Sequence, residues 1–392
     1  MRVSAEFYGG NIEFLGIAPG KDVGLAIRPD PIPGFRQWFY FSIASAPREV
    51  RRLVITNADE ALVPMGWPGY QAFRSLDNST WTRVPTTYAD GRLVIEHVSA
   101  AGPVWYAYFP PYLEADRDRL LAFCRADARA SVAVLAQVGP HDALDLVEIG
   151  SEAPDALHVW AVCRQHPGEV QASWWADGFL RRLLDPADAE ALDVLRRARV
   201  HIVPNMNPDG SRAGFHRCNR HGVNLNAAWN SSTVETSPAV RAVLDRVAVT
   251  GIDFCLDVHA DEELPYVFVA NVDRIVPPPS GIAAICDSFQ TELGSADPAF
   301  RPRSGYVRPH TLAAPLSFCS PHIMHAFQAP ALTLELPYKM VEDPSGRISE
   351  YAVPGCIATG CASLTALSRV LEDVAALRTM AGPGLLNQRR SQ

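Results

Sequence analysis

The 392-residue chain has no run of about 18 apolar residues, so nothing in it reads as a membrane-spanning helix. Positive charge is in short supply. Against 43 aspartates and glutamates stand 35 lysines and arginines, a net charge of −8. That balance argues against nucleic acid or an anionic membrane as a partner, since both call for concentrated basic side chains. The opening residues MRVSAEFYGGNIEF carry neither the basic nor the apolar part of a secretory signal, so a cytoplasmic protein is expected. None of the eight cysteines belongs to a Cys-x-x-Cys pair, and several sit inside apolar segments. They are expected to be reduced, buried thiols, which leaves out a disulfide framework and a zinc knuckle. No internal repeat or low-complexity tract is present.

What is there divides into two parts. Residues 1–115 look all-β, with short apolar or alternating segments at 11–17, 23–29, 36–44, 50–58, 92–98 and 104–110, broken by Gly, Pro, Asn and Asp. This spacing predicts a β-sandwich. Pro110, Pro111 and the polar 114–119 mark a boundary. From 116 to 380 strands alternate with helices: strands at 131–137, 157–163, 199–204, 252–258, 265–270 and 331–336, helices at 168–184, 237–249, 281–293 and 357–377. Alternation of that kind predicts an α/β domain with a mixed sheet and helices on both faces. Residues 381–392 are expected to form a flexible tail.

Sites in such sheets collect at the carboxyl ends of strands, which draws together His166, the stretch from Asn205 to Asp209, His259 and Glu335. The turn 166-HPGE-169 places a histidine and a carboxylate three residues apart where the apolar strand 157–163 gives way to a helix. Nitrogen and oxygen donors suit zinc, which for catalysis also needs a third protein ligand and an open position. His259, closing the strand 252-IDFCLDVH-259, is favoured as that ligand over Glu262 in the following turn. Asp257 could orient it from behind. Glu335 is the one ionisable group in the apolar 331-ALTLELP-337, where a charge is costly unless paired or functional. The segment 203–229 is rich in Asn, Gly and Arg, as a loop facing a site would be. Arg217 and Asn226 stand out there as donors to an oxyanion and a carboxylate. His322 and His325, one helical turn apart, offer a second and weaker metal pair.

HPGE, NPDG at 207–210, 224-NLNAAW-229, the strand-terminal Asp257-x-His259 and the late 333-TLE-335, in that order, resemble the M14 metallocarboxypeptidases. Closer still is the resemblance to the cytosolic carboxypeptidase (Nna1-like) subfamily, which carries a β-sandwich ahead of the peptidase domain. The segments 9-GGNIE-13, 37-QWFYF-41, 81-WTRVPT-86 and 106-YAYFPPY-112 match that part. The resemblance implies one Zn2+ per chain on His166, Glu169 and His259, with Glu335 as general base and acid. It makes Arg217 the group that polarises the scissile carbonyl and Asn226 the holder of the substrate's terminal carboxylate. The implied substrate is a peptide or protein C-terminus. Two departures bear on recognition. Ala227 stands where the family has the carboxylate-gripping arginine, with Arg220, Arg303 or Arg308 as conceivable replacements. His322 stands near the position of the tyrosine that closes over substrate. A zinc amidase or esterase for substrates without a free terminal carboxylate is the alternative, and a peptide binder without turnover a further one.

Overall fold

The computed structural model describes residues 1–32, 34–46, 50–270, 278, 281–306, 315–343 and 345–380. Its amino-terminal part holds two five-stranded sheets. One runs Arg2–Ser4, Tyr40–Ala44, Val104–Ala107, Phe73–Ser75, Thr82–Arg83, all antiparallel. The other runs Glu13–Ile17, Asp22–Ala26, Arg52–Ile55, Arg92–Glu96, Thr86–Ala89, with a parallel pair between its second and third strands. Alternation drives the packing. Val23, Leu25, Leu53, Ile55, Leu93 and Ile95 point inward and meet Phe39, Phe41, Ile43 and Tyr106 in one core, each large side chain stabilising by about 1.5–3 kcal/mol. The six expected strands are present. The four added ones are two to four residues long, too short for a period of two to register.

After the helix Glu114–Arg125 comes a seven-stranded mixed sheet. Its order is Ala130–Gly139, Asp142–Gly150, Ala198–Val203, Leu157–Cys163, Phe254–Asp261, Ala331–Pro337, Phe268–Val269. The four strands from 198–203 to 331–337 are mutually parallel and the outer ones antiparallel. Both faces are covered, which is why strand 157–163 is apolar at every position but His158. Val159 and Ala161 face Trp175, Phe179 and the long helix Val353–Met380, while Trp160 and Val162 face the helix Pro238–Thr250 and Ile323. Strand 142–150 and the helices at 114–125, 189–197 and 319–326 add to the expected elements. All eight cysteines are free thiols, six of them buried. Among the described residues no helix is long and apolar enough to cross a membrane. The tail, Arg308 and His310 lie outside the described residues.

One ion network ties the outer strands to the centre. His201 Nδ1 donates to Glu148 Oε1 at 2.8 Å, and Arg246 donates to both Glu148 oxygens at 2.8 and 2.9 Å. The His201 ring stacks on Trp160 at 4.6 Å. The His201 hydrogen bond, with Arg246 behind it, holds the Glu148 carboxyl down at about 2. A depressed carboxyl stabilises the fold above its unfolded value of 4.5 and loses that contribution as pH falls towards about 2. Glu148→Gln is therefore expected to lower Tm at neutral pH and to flatten the acid limb of Tm between those two values. A Tm–pH curve parallel to that of the parent protein would refute the assignment.

Candidate metal centre and active site

The HPGE turn is fixed from several sides. Strand 157–163 ends at Cys163, and Arg164 reverses the chain in the left-handed region, at φ 58°. Its Nε donates back to the Pro167 carbonyl at 2.8 Å, and Tyr338 Oη donates to the Gly168 carbonyl at 2.8 Å. Gly168 N–H donates to the His216 carbonyl at 3.0 Å. A side chain at 168 is impossible, since a Cβ there would lie 2.3 Å from His216 Nδ1. NPDG has a matching logic. Asn207 caps the helix Pro208–Ala213 by accepting from Gly210 N–H, and its Nδ2 donates to the Gln165 carbonyl at 2.9 Å. One motif thus braces the other.

His166, Glu169 and His259 converge, all buried, with ligand atoms within 4.8 Å of one another. The Glu169 carboxylate spans the two rings: Oε1 is 2.7 Å from His166 Nδ1 and Oε2 is 2.7 Å from His259 Nδ1. The two Nδ1 atoms are 3.1 Å apart. The outer nitrogens are engaged elsewhere. His259 Nε2 donates to Asp257 Oδ1 at 2.8 Å, and His166 Nε2 donates to Asn224 Oδ1 at 3.0 Å. These outer partners fix both rings in the tautomer whose Nδ1 carries a lone pair. Two such lone pairs and a carboxylate aimed at one point fit a cation of zinc's preferences.

The two rings respond differently to this crowding of charge. Burial, helped by the Arg217 charge, holds the His166 ring down to about 4. Burial also opposes charge on His259, but Asp257 and Glu169 together outweigh it and lift that ring well above its ordinary value. A proton and a metal ion compete for the same Nδ1, and the two carboxylates favour either cation.

The structure brings most of the expected site residues together. Glu335 lies level with His259 on the neighbouring parallel strand. It is 8% exposed, and burial, reinforced by Glu169, Asp261 and Glu262, raises its carboxyl well above the usual range. Arg217 Nη1 is 3.7 Å from Glu169 Oε1. Asn226 accepts from Cys319 N–H at 3.0 Å, which leaves its NH2 as the free donor among the described residues. Glu262, the competing ligand, instead pairs with His216 Nε2 at 2.7 Å. His322 is not brought to the cluster. Its ring packs 6.3 Å from Trp229 and 6.0 Å from Phe327, beside Arg241 in a separate cavity of about 200 Å3. Arg220 and Arg303 are exposed. Asn224, Gln165 and Tyr338 are contributors that the sequence reading passed over. Gln165 donates to Asp257 Oδ1 at 2.7 Å and accepts from Trp229 Nε1 at 2.8 Å. Only the position of Asn224, two residues before Asn226, hinted at its part.

Likeness to known proteins places the chain. A family model described as cytosolic carboxypeptidase N-terminal domain matches residues 3–109, and one described as zinc carboxypeptidase matches residues 141–248. The solved metallo-carboxypeptidase of Burkholderia cenocepacia is 32% identical, with 95% of this chain and 99% of that one covered and a TM-score of 0.88. The metallo-carboxypeptidase of Pseudomonas aeruginosa, solved in complex with (2-guanidinoethylmercapto)succinic acid, is 30% identical. There 95% of this chain and all of that one are covered, at a TM-score of 0.89. Cytosolic carboxypeptidase 6 of Caenorhabditis elegans is 25% identical over 299 residues, 68% of this chain and 63% of that protein. With this likeness running through both parts of the fold, the chain belongs to the M14 zinc carboxypeptidases, in their cytosolic carboxypeptidase subfamily.

Proposed function

We propose that the protein is a zinc carboxypeptidase that removes residues from peptide or protein C-termini, with one zinc ion held by His166, Glu169 and His259. The observation that carries this is the pair of Nδ1 lone pairs facing Glu169, each fixed by an outer partner, with Glu335 level with His259 on the adjoining strand. Zinc held there supplies Lewis acidity, which makes water acidic near neutral pH and polarises an acyl carbonyl.

The chain's own groups supply the rest. Glu335 takes a proton from the attacking water on its carboxylate and later hands it to the leaving amine nitrogen. Its burial raises its proton affinity, which favours the first of these transfers. Arg217 donates to the oxygen that becomes negative as the carbonyl turns tetrahedral. The free NH2 of Asn226 donates to the substrate's terminal carboxylate. The substituted succinic acid bound by the Pseudomonas relative supports a site that accepts carboxylates.

Ala227 favours a second reading. No cationic side chain stands at that position, so a substrate lacking a free terminal carboxylate, cleaved as an amide or ester, suits the pocket too. Peptides with free and amidated C-termini separate the two. Preference for the free form supports the carboxypeptidase, and equal turnover supports the amidase.

Three variants test the roles. Glu335→Gln is expected to keep one zinc and lose roughly 100- to 10,000-fold in kcat; undiminished turnover would remove it as base. Asp257→Ala is expected to weaken zinc about 10- to 100-fold in chelator competition, and unchanged affinity would show that His259 needs no outer carboxylate. Ala227→Arg is expected to lower KM for a free C-terminus by about one to two decades, the worth of a charge-assisted pair. An unchanged KM would mean that carboxylate recognition lies elsewhere.

A further inference from the structure

The loop that carries Arg217 is gripped by the β-sandwich at two places. The first lies at residues 212–214. Gly9 N–H donates to the Arg212 carbonyl at 3.0 Å and Asn11 Nδ2 to the Gly214 carbonyl at 2.9 Å. Trp38 Nε1 holds the Gly9 carbonyl at 2.8 Å. The chains pass so closely that a Cβ on Gly214, at φ 72°, would stand 2.6 Å from the Gly10 carbonyl oxygen.

The second grip is a single buried carboxylate. Asp30, 4% exposed, follows the sandwich strand Asp22–Ala26. Its Oδ1 accepts from His216 N–H at 2.8 Å, and its Oδ2 accepts from Arg217 and Cys218 N–H at 2.7 and 2.8 Å. No lysine or arginine pairs with it among the described residues. Three successive N–H groups closing on one anion fix the backbone between them, as in an anion nest. The middle one belongs to Arg217, whose guanidinium reaches to 3.7 Å from Glu169. The preceding residue, His216, supplies the carbonyl that holds the HPGE glycine.

We propose that Asp30 is a positioning residue for the hydrolysis: by anchoring the backbone at 216–218 it sets where the Arg217 guanidinium lies, and so makes the β-sandwich a working part of the active site. This rests on the role given to Arg217 above. Because the grip at 212–214 does not involve Asp30, removing its charge loosens 216–218 while the sandwich stays docked.

The test uses the full-length zinc enzyme and four variants: Asp30→Asn, Asp30→Glu, Arg217→Ala and the double Asp30→Asn/Arg217→Ala. Asp30→Asn is expected to keep one zinc and a cooperative melt while exchanging the 216–218 amides faster. It should lose on the order of 10- to 100-fold in kcat, the effect of a slightly misplaced catalytic group, with KM nearly unchanged. Asp30→Glu should recover part of that loss. In the double variant the loss should be no greater than in Arg217→Ala alone, since two residues acting through one group are not additive. Unchanged kcat and exchange in Asp30→Asn, or losses that multiply in the double variant, would overturn the proposal. If Asp30→Asn does not fold, Asp30→Glu carries the same comparisons. Full turnover in Arg217→Ala would remove Arg217 from the mechanism and this route with it. That outcome differs from an inactive Arg217→Ala beside a fully active Asp30→Asn, which overturns only the role of Asp30.

Discussion

Two imidazole lone pairs and a carboxylate pointing at one spot are mutually repulsive unless a cation sits between them. The rest of the site depends on that constraint. Each imidazole must turn its proton outward, so each needs an acceptor there, and Asp257 and Asn224 provide them. A buried Asp257 in turn needs donors besides His259, and Gln165 is one, itself oriented by the Trp229 indole. The polar interior around the cluster is therefore a sequence of obligations, each set by the previous one. It reaches outward to NPDG, whose Asn207 donates to the Gln165 carbonyl.

Much of this was legible in the sequence because the chemistry and the period-two pattern coincide. Apart from His158, strand 157–163 is apolar on both faces, which marks it as central. A histidine and a glutamate following such a strand had to emerge at its carboxyl end. Glu335 was legible for the same reason, as a lone charge in a buried strand. What stayed hidden was relational. The strand-end position favours His259 over Glu262 as a ligand, but nothing local showed that Glu262 would pair with His216. The resemblance puts His322 near the position of a substrate-covering tyrosine, but a helix at 319–326 carries its ring towards Trp229 and Phe327. Asn224, Gln165 and Tyr338 carry no charge pattern of their own and are identified only by what they touch. The short strands and the helix 189–197 escaped because brief elements give a pattern too few repeats to be seen.

Recognition of substrate is less constrained than the chemistry. The metal-facing groups are buried and cross-braced, whereas Ala227, to which the proposed function gives a part in carboxylate recognition, is small and uncharged. Arg220 and Arg303 reach solvent, so neither is held in place by packing as the cluster is. Chemistry and specificity thus rest on physically different material in one pocket. In the proposed function the first depends on interlocked strands and caps, the second on the buried Asn226, held by Cys319 N–H, with no cation at its neighbour Ala227.

The Asp30 contacts span 186 to 188 residues of chain. Local elements form early, and contacts that close large loops become favourable late, because the closure entropy must be met first. His166 and Glu169 are three residues apart and share a turn, so they are near each other as soon as that turn exists. Arg217 reaches its final backbone conformation only when the two ends of that long loop have met. On this account a nascent or half-folded chain already holds part of its metal-binding turn but lacks the anchored arginine. Hydrolysis would then begin only once both parts of the molecule are assembled.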